Sequence, residues 1–256
     1  MLRSRIIPCL LMHDGGLVKT RQFKDPKYVG DPLNAVKIFN EKEVDELIFL
    51  DIDATVQGRG PSLPLLRSLA VESRMPLCYG GGVATAALAS QIIALGFEKV
   101  SISDAALVRP ALIREMADAV GSQSVVVTVD VRKNRLLPGY TVYTRNGQQK
   151  HKVDLLDFCR QAQDLGAGEI VINAIERDGE MAGYDLALAS AVRQAVTLPI
   201  TLLGGAGSVS DMQSLIDEVG LVGAAAGSLF VFKGTFRAVL INYARPARLR
   251  ASGSIP

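Results

Sequence analysis

Two stretches of this chain repeat each other at one fixed spacing. "ELIFLDI" from Glu46 returns as "EIVINAI" from Glu169, and "PLCYGGG" from Pro76 returns as "PITLLGG" from Pro199, both at an offset of 123 residues. A fixed offset marks a duplicated structural unit, here about half of a 256-residue chain. Apolar runs at 5–11, 46–52, 76–80, 99–103, 124–130, 169–175, 199–203 and 223–227 read as strands. They are mostly apolar on both faces, as strands are when helices cover a parallel sheet. Helix-like segments lie between them, near 61–73, 84–95, 109–119, 154–164, 185–195, 209–217 and 234–242. One more opens at Asp31-Pro32, a capping residue followed by proline at the first helical position. Eight strand–helix units predict an α/β fold, a (βα)8 TIM barrel built from two similar half-barrels. An open doubly wound sheet shows the same alternation, but two halves that close on each other weigh against it.

The barrel is expected as a single domain over 1–245. A hairpin around Asn146-Gly147 is inserted near 132–150, and 246–256 forms a basic, flexible tail. A hydrophobic fraction of 48% suffices for one sizeable core, and a formal net charge of +2 leaves no electrostatic footprint for nucleic acid. No apolar run is long enough for a membrane span, and the start lacks a signal-peptide cleavage pattern. Cys9, Cys78 and Cys159 are far apart with no CxxC spacing, which fits a reducing compartment and neither disulfides nor zinc. The expected location is the cytoplasm, with no metal and no cofactor. His13 and His151 are isolated in sequence and read as loop or surface residues.

In a barrel of this kind the loops after the strands carry function. "YGGGV" holds Gly81 and Gly82, and its repeat mate "LGGAGS" holds Gly204 and Gly205. Ser103 follows the fourth strand, and Gly227 and Ser228 follow the eighth. Glycine lets backbone N–H groups approach an anion, so these residues are expected to bind phosphate. Two copies suggest a ligand with a phosphate at each end. The copies are unequal: Asp104 puts a carboxylate in the first-half site. At about 5 Å and an effective dielectric near 20, two unit charges interact by roughly 3 kcal/mol.

"RIIPCL…DG…VK", "DELIFLDI", "GGG", "KVSIS", "GSQSVVVTVD", "GAGEI…ERDGE…GYDL" and "GGAG" resemble, in order and over nearly the whole chain, the cyclase subunit of imidazole glycerol phosphate synthase. That resemblance implies a barrel that takes ammonia from a separate glutaminase subunit docked at the N-terminal strand face. The ammonia would pass through the lumen to a phosphorylated small-molecule substrate. It also implies acid–base aspartates at the ends of strands one and five. Asp130 matches the second and Leu11 the first. Leucine moves no proton, and positioned acid–base catalysis is worth about 10²–10⁴ in rate. Asp14 lies three residues further on, beyond the strand. Lys19 and Asp178 match family positions near the substrate; read without the resemblance, they are a solvated loop charge and a turn residue. Arg5, Glu46, Lys99 and Glu169 match a ring of alternating charges that gates the ammonia entrance.

An intact gate beside an altered exit resembles a paralogue of the cyclase associated with sugar amidation in bacterial surface-polysaccharide synthesis. "FKDPKYVGDP" and "FNEKEVDELIFLDIDAT" point the same way. The expectation is a synthase subunit that conducts ammonia for amidation of a nucleotide-linked sugar. The alternatives are a working cyclase of histidine biosynthesis and a non-catalytic activator of the glutaminase. An isomerase of the same pathway ranks last, since it needs no ammonia gate.

Overall fold

The computed structural model describes residues 3–134, 138–247 and 249. Eight parallel strands close on themselves: β1 (Arg5–His13), β2 (Leu47–Asp51), β3 (Leu77–Gly80), β4 (Lys99–Ile102), β5 (Val125–Lys133), β6 (Glu169–Ala174), β7 (Ile200–Leu203) and β8 (Gly223–Ala226). The closing pair sets Arg5 opposite Gly223 and Ile7 opposite Ala225. The fold is the (βα)8 barrel that the alternation implied.

Side chains alternate across each strand, and the interior splits accordingly into two apolar clusters. Ile7, Cys9, Leu11, Ile48, Cys78, Val126, Val171, Leu203 and Ala225 fill the lumen. Their neighbours in sequence, such as Ile6, Leu10, Phe49, Val127 and Ile172, pack outward against the helices. These are α1 (Pro32–Glu41), α2 (Leu63–Glu72), α3 (Ala86–Ala94), α4 (Ala111–Val120), α5 (Leu155–Asp164), α6 (Leu186–Ala195) and α7 (Val209–Val219). Several starts are fixed by side-chain caps. Asp31 accepts from the Asn34 N–H at the start of α1, and Ser208 and Asp211 form a capping box at α7.

The structure departs from the sequence reading in two places. No helix spans 234–242. After a short helix at Ser228–Val231, the chain forms a tight hairpin, Phe232–Lys233 against Ala238–Val239, turning at Gly234 with a φ of +72°. It then runs extended. Leu240 and Asn242 donate their N–H groups to Val231 and Phe230, which uses the backbone groups that a helix would have paired internally. The extended run leads down the barrel wall, and Ser4 N–H bonds to the Leu249 carbonyl at 3.0 Å. Most of the expected basic tail, 246–256, lies outside the described residues.

The second departure is an antiparallel pair, Gly16–Arg21 and Lys24–Gly30, that grows out of β1. Its turn is Asp14-Gly15, with φ of 46° and 77°, the left-handed pair that an Asp-Gly dipeptide supplies. β1 therefore continues past Leu11 to His13. On the other side of the mouth, Tyr140–Thr144 pairs with β5 and with Gln149–Lys150. Its tip lies over the mouth, where Asn146 donates to the Ile52 carbonyl at 2.9 Å. No helix among the described residues is long and apolar enough to cross a membrane.

Candidate functional site

At the N-terminal ends of the strands the structure brings together Arg5, Glu46, Lys99 and Glu169. Arg5 pairs with Glu46, and with Glu169 at 2.7 Å; Lys99 pairs with both carboxylates at 2.8 Å. Each cation touches two anions and each anion two cations, so the ring satisfies its own charge. Both glutamates are buried. Burial alone would raise the Glu169 pKa, but Arg5 and Lys99 outweigh it and hold the value low. Burial would likewise lower Lys99, but Glu169 and Glu46 hold it up. Thr201 adds a hydroxyl bond to Glu169. Above the ring the lumen is uncharged: the apolar cluster around Ile7, Cys9 and Val126 is joined by Ser101 and Thr128, whose hydroxyls bond each other at 2.6 Å. Burial pushes the Cys9 thiol up to about 11 and raises Cys78 as well, so both stay neutral at pH 7.

At the opposite end two cavities meet. The larger, about 670 Å³, takes in the loops after β2, β3 and β4, including Gly81, Gly82, Ser103 and Asp104. The smaller holds Gly204, Gly205, Gly227 and Ser228 with Lys19 and Asp178. Leu11, Phe23 and Asn173 line both. Gly81 is required by its neighbour: at a φ of +134°, a Cβ there would stand 2.7 Å from the Asp51 Cβ. Gly227 makes room for Lys19, whose Cε would stand 2.9 Å from an added Cβ.

Asp130 lines the larger cavity at the end of β5. Burial pushes its carboxyl up to about 7; a 3.0 Å hydrogen bond from Asn173 lowers it and the charge of Asp178 raises it. A group near 7 both donates and accepts protons at neutral pH. Leu11, on β1, offers no partner for such exchange. Asp14 does not replace it: its side chain is 78% exposed, and its contact is His13 at 3.4 Å. Lys19 is buried and donates to the Cys9 carbonyl, and burial lowers its pKa. Asp178 accepts from Thr20 Oγ1 at 2.6 Å and from the Phe23 N–H at 3.3 Å. It thereby ties the β1 hairpin to the loop after β6, and burial raises its pKa.

Asp104 is not a free carboxylate. It accepts from Thr144 Oγ1 at 2.8 Å and pairs with Arg145 at 3.2 Å. The helix that follows it, Asp104–Val108, is one short turn. Ser103 Oγ is buried without a hydrogen-bond partner.

Sequence reading passed over Asn173, Arg145 and Arg237. Asn173 carried a signal, a lone amide in an apolar strand at even spacing from Glu169, which puts it on the lumen face. Its Oδ1 is buried and unpartnered. The other two sit on hairpin turns, where spacing says nothing of reach. His13, Asp14 and Asp53 bring ligand atoms within 4.8 Å of one another. Asp53 already accepts from His13 Nδ1 at 2.8 Å and from the Asp14 N–H at 2.9 Å. The hydrogen bond that His13 donates to Asp53 raises the His13 pKa and favours imidazolium, which has no lone pair for a metal.

Comparison with known proteins matches residues 5–237 to the family described as "Histidine biosynthesis protein". A Vibrio vulnificus (strain YJ016) relative, provisionally named imidazole glycerol phosphate synthase subunit hisF3, is 55% identical over 96% of this chain and 95% of its own. A Leptospira interrogans relative, provisionally named subunit HisF of the same synthase, is 51% identical over 95% of this chain and 96% of its own. The chain belongs to the HisF family. A third member, imidazole glycerol phosphate synthase subunit HisF of Lysinibacillus sphaericus (strain C3-41), is 39% identical over 96% of this chain and 97% of its own. In this HisF-type barrel the charged ring and the two cavities therefore occupy opposite ends of one lumen.

Proposed function

We propose that this HisF-type chain is the synthase subunit of a glutamine amidotransferase. It docks a glutaminase against its N-terminal strand face and conducts ammonia through its lumen to the cavities above. The observation that carries this reading is the closed ring of Arg5, Glu46, Lys99 and Glu169 at the barrel base. Such a ring is costly to bury as structure alone, since apolar replacements of buried ion pairs are often neutral or stabilising. As a gate it has a use, because opening one pair admits a small neutral molecule. The uncharged lining above the ring suits NH₃ and excludes ammonium, whose burial without a partner is costly.

In this reading Asp130 is the proton carrier at the exit, Lys19 and Asp178 stand at the substrate's side, and the glycine loop after β7, with Gly227 and Ser228, is a phosphate cradle. With Leu11 opposite Asp130, ring-closing acid–base chemistry lacks its second group. The ammonia is delivered instead to amidation of a nucleotide-linked sugar, in the cytoplasm. A second reading, a working imidazole glycerol phosphate synthase cyclase of histidine biosynthesis, is favoured by the names of the relatives.

One assay separates them. Purified protein is incubated with ammonium salt and the aminoimidazole ribonucleotide precursor that the cyclase consumes. The expected result is no imidazole product above background, with Leu11→Asp restoring a measurable rate. Turnover by the unaltered protein establishes the cyclase and removes the amidation reading.

A further inference from the structure

The two ends of the barrel mouth differ in how their cations are partnered. Among the described residues, every guanidinium lining the larger cavity is matched. Arg59 holds both oxygens of Asp51, at 2.9 and 3.0 Å. Arg145 holds Asp104, and Arg109 pairs with Glu115. Asp130 adds further negative charge when ionised. One backbone donor of the glycine loop, the Gly82 N–H, is directed at Thr55 Oγ1, 3.3 Å away. An anion entering here meets neutral pairs and carboxylates.

The smaller cavity is the reverse. Lys19 donates to a carbonyl, that of Cys9. Outside the cavity lining, Arg237 of the hairpin after β8 donates to two residues of that lining, to the Gly179 carbonyl at 3.1 Å and to Ser228 Oγ at 3.3 Å, over the Phe232 ring. Among the described residues, neither has a carboxylate in hydrogen-bond contact. Two acids lie near, Asp178 and Glu180. Glu180 is taken by Arg21 at 2.6 Å and Gln22 at 3.1 Å, and Asp178 offsets one charge of two. The glycine cradle therefore keeps one cation in excess, with an arginine fork already on the hydroxyl of Ser228. Arginine forks suit phosphate oxygens.

We propose that the ligand of this mouth carries one phosphate, held at the β7–β8 cradle by Arg237 and Lys19, and an uncharged hydroxyl-bearing body that fills the larger cavity. The ion pairs Asp51–Arg59 and Asp104–Arg145 present fixed acceptors and donors to hydroxyls, and the apolar walls of Leu50, Ile52 and Val83 suit the faces of a sugar ring. Ion pairs prefer neutral hydroxyl groups to a second phosphate, which would compete with Asp104 for Arg145. The first-half loop is thus a hydroxyl-binding site, and Arg237 is the phosphate-contacting residue. This inference rests on the reading of the β7–β8 glycine loop as a phosphate cradle.

Calorimetry on the full chain with ribose 5-phosphate and ribose 1,5-bisphosphate tests it. The monophosphate is expected to bind, and the bisphosphate to bind less than tenfold more tightly. Arg237→Gln should weaken the monophosphate at least tenfold, while Arg237→Lys retains part of the affinity. Asp104→Asn frees Arg145 and should favour the bisphosphate tenfold. A bisphosphate preference of tenfold or more in the unaltered protein overturns the inference and leaves the cradle reading intact. So does an unchanged monophosphate affinity in Arg237→Gln. No binding of either sugar phosphate at millimolar concentration overturns both.

Discussion

Asp130 and Asn173 sit side by side at the ends of adjacent strands, paired in register and joined by one hydrogen bond. That bond stabilises the ionised carboxylate against its burial, so its removal has a definite sign. Asn173→Ala should raise the Asp130 pKa above its value of about 7, and carbon NMR of labelled aspartate carboxyls would follow the titration. A downward shift would mean that the amide acts through its carbonyl. A raised pKa also means that the folded chain binds a proton more tightly than the unfolded one. Stability from this group is present at acid pH and lost as pH rises through about 7.

At the scale of elements, the wall between α7 and α1 shows what sequence pattern conveys and what it does not. Where helices pack on the barrel, apolar spacing made them legible: Leu112, Ile113 and Met116 of α4 face inward, as a 3.6-residue period requires. The stretch 234–242 has apolar residues enough for a helix, yet it is a hairpin and an extended run. Its backbone partners, Val231 and Phe230, lie close in sequence but invisible to periodicity. The β1 hairpin was legible in principle, through Asp14-Gly15, but its Lys19 points into the barrel, against the usual expectation for a loop lysine. The four residues of the basal ring were legible through the family resemblance, with strand period adding only which face they share. Arg237 was not, since its reach depends on a turn.

The extended run is held by Tyr243, whose hydroxyl donates to the Ile6 carbonyl at 2.9 Å and accepts from the Asp45 N–H at 3.3 Å. Tyr243→Phe strands both backbone groups beside β1. It should cost about 1–2 kcal/mol, read as a lower urea midpoint with unchanged m-value; an unchanged midpoint would show that the run adds no stability.

On the scale of the molecule, an uncharged lumen separates a charged base from a mouth that holds the Asp130 carboxyl, and the proposed passage would set stability against opening at the base. Lys99→Met leaves Glu46 and Glu169 to share Arg5 alone. Breaking a fully buried pair costs 3–5 kcal/mol; with the Lys99 side chain 16% and Arg5 27% exposed, about 2–3 kcal/mol is expected here, a fall in Tm of roughly 4–12 °C. The pH dependence follows from the two shifts. Glu169 is held below its ordinary 4.5, so its contribution is present above about 4.5 and disappears as pH falls through the lowered value. Lys99 is held above its ordinary 10.5, so its contribution is complete below that and disappears only as pH rises through the raised value. The Tm difference between the parent and Lys99→Met should therefore be level from pH 5 to 10 and shrink below pH 4. A structural role predicts that much and no more. A gate predicts in addition that, with the glutaminase bound and amide-¹⁵N glutamine supplied, the variant releases labelled ammonia to solvent instead of passing it to acceptor. If labelled nitrogen still reaches the acceptor in full while the Tm falls by the amount expected for a broken ion pair, the ring is a clasp for the barrel base, and ammonia enters by another path.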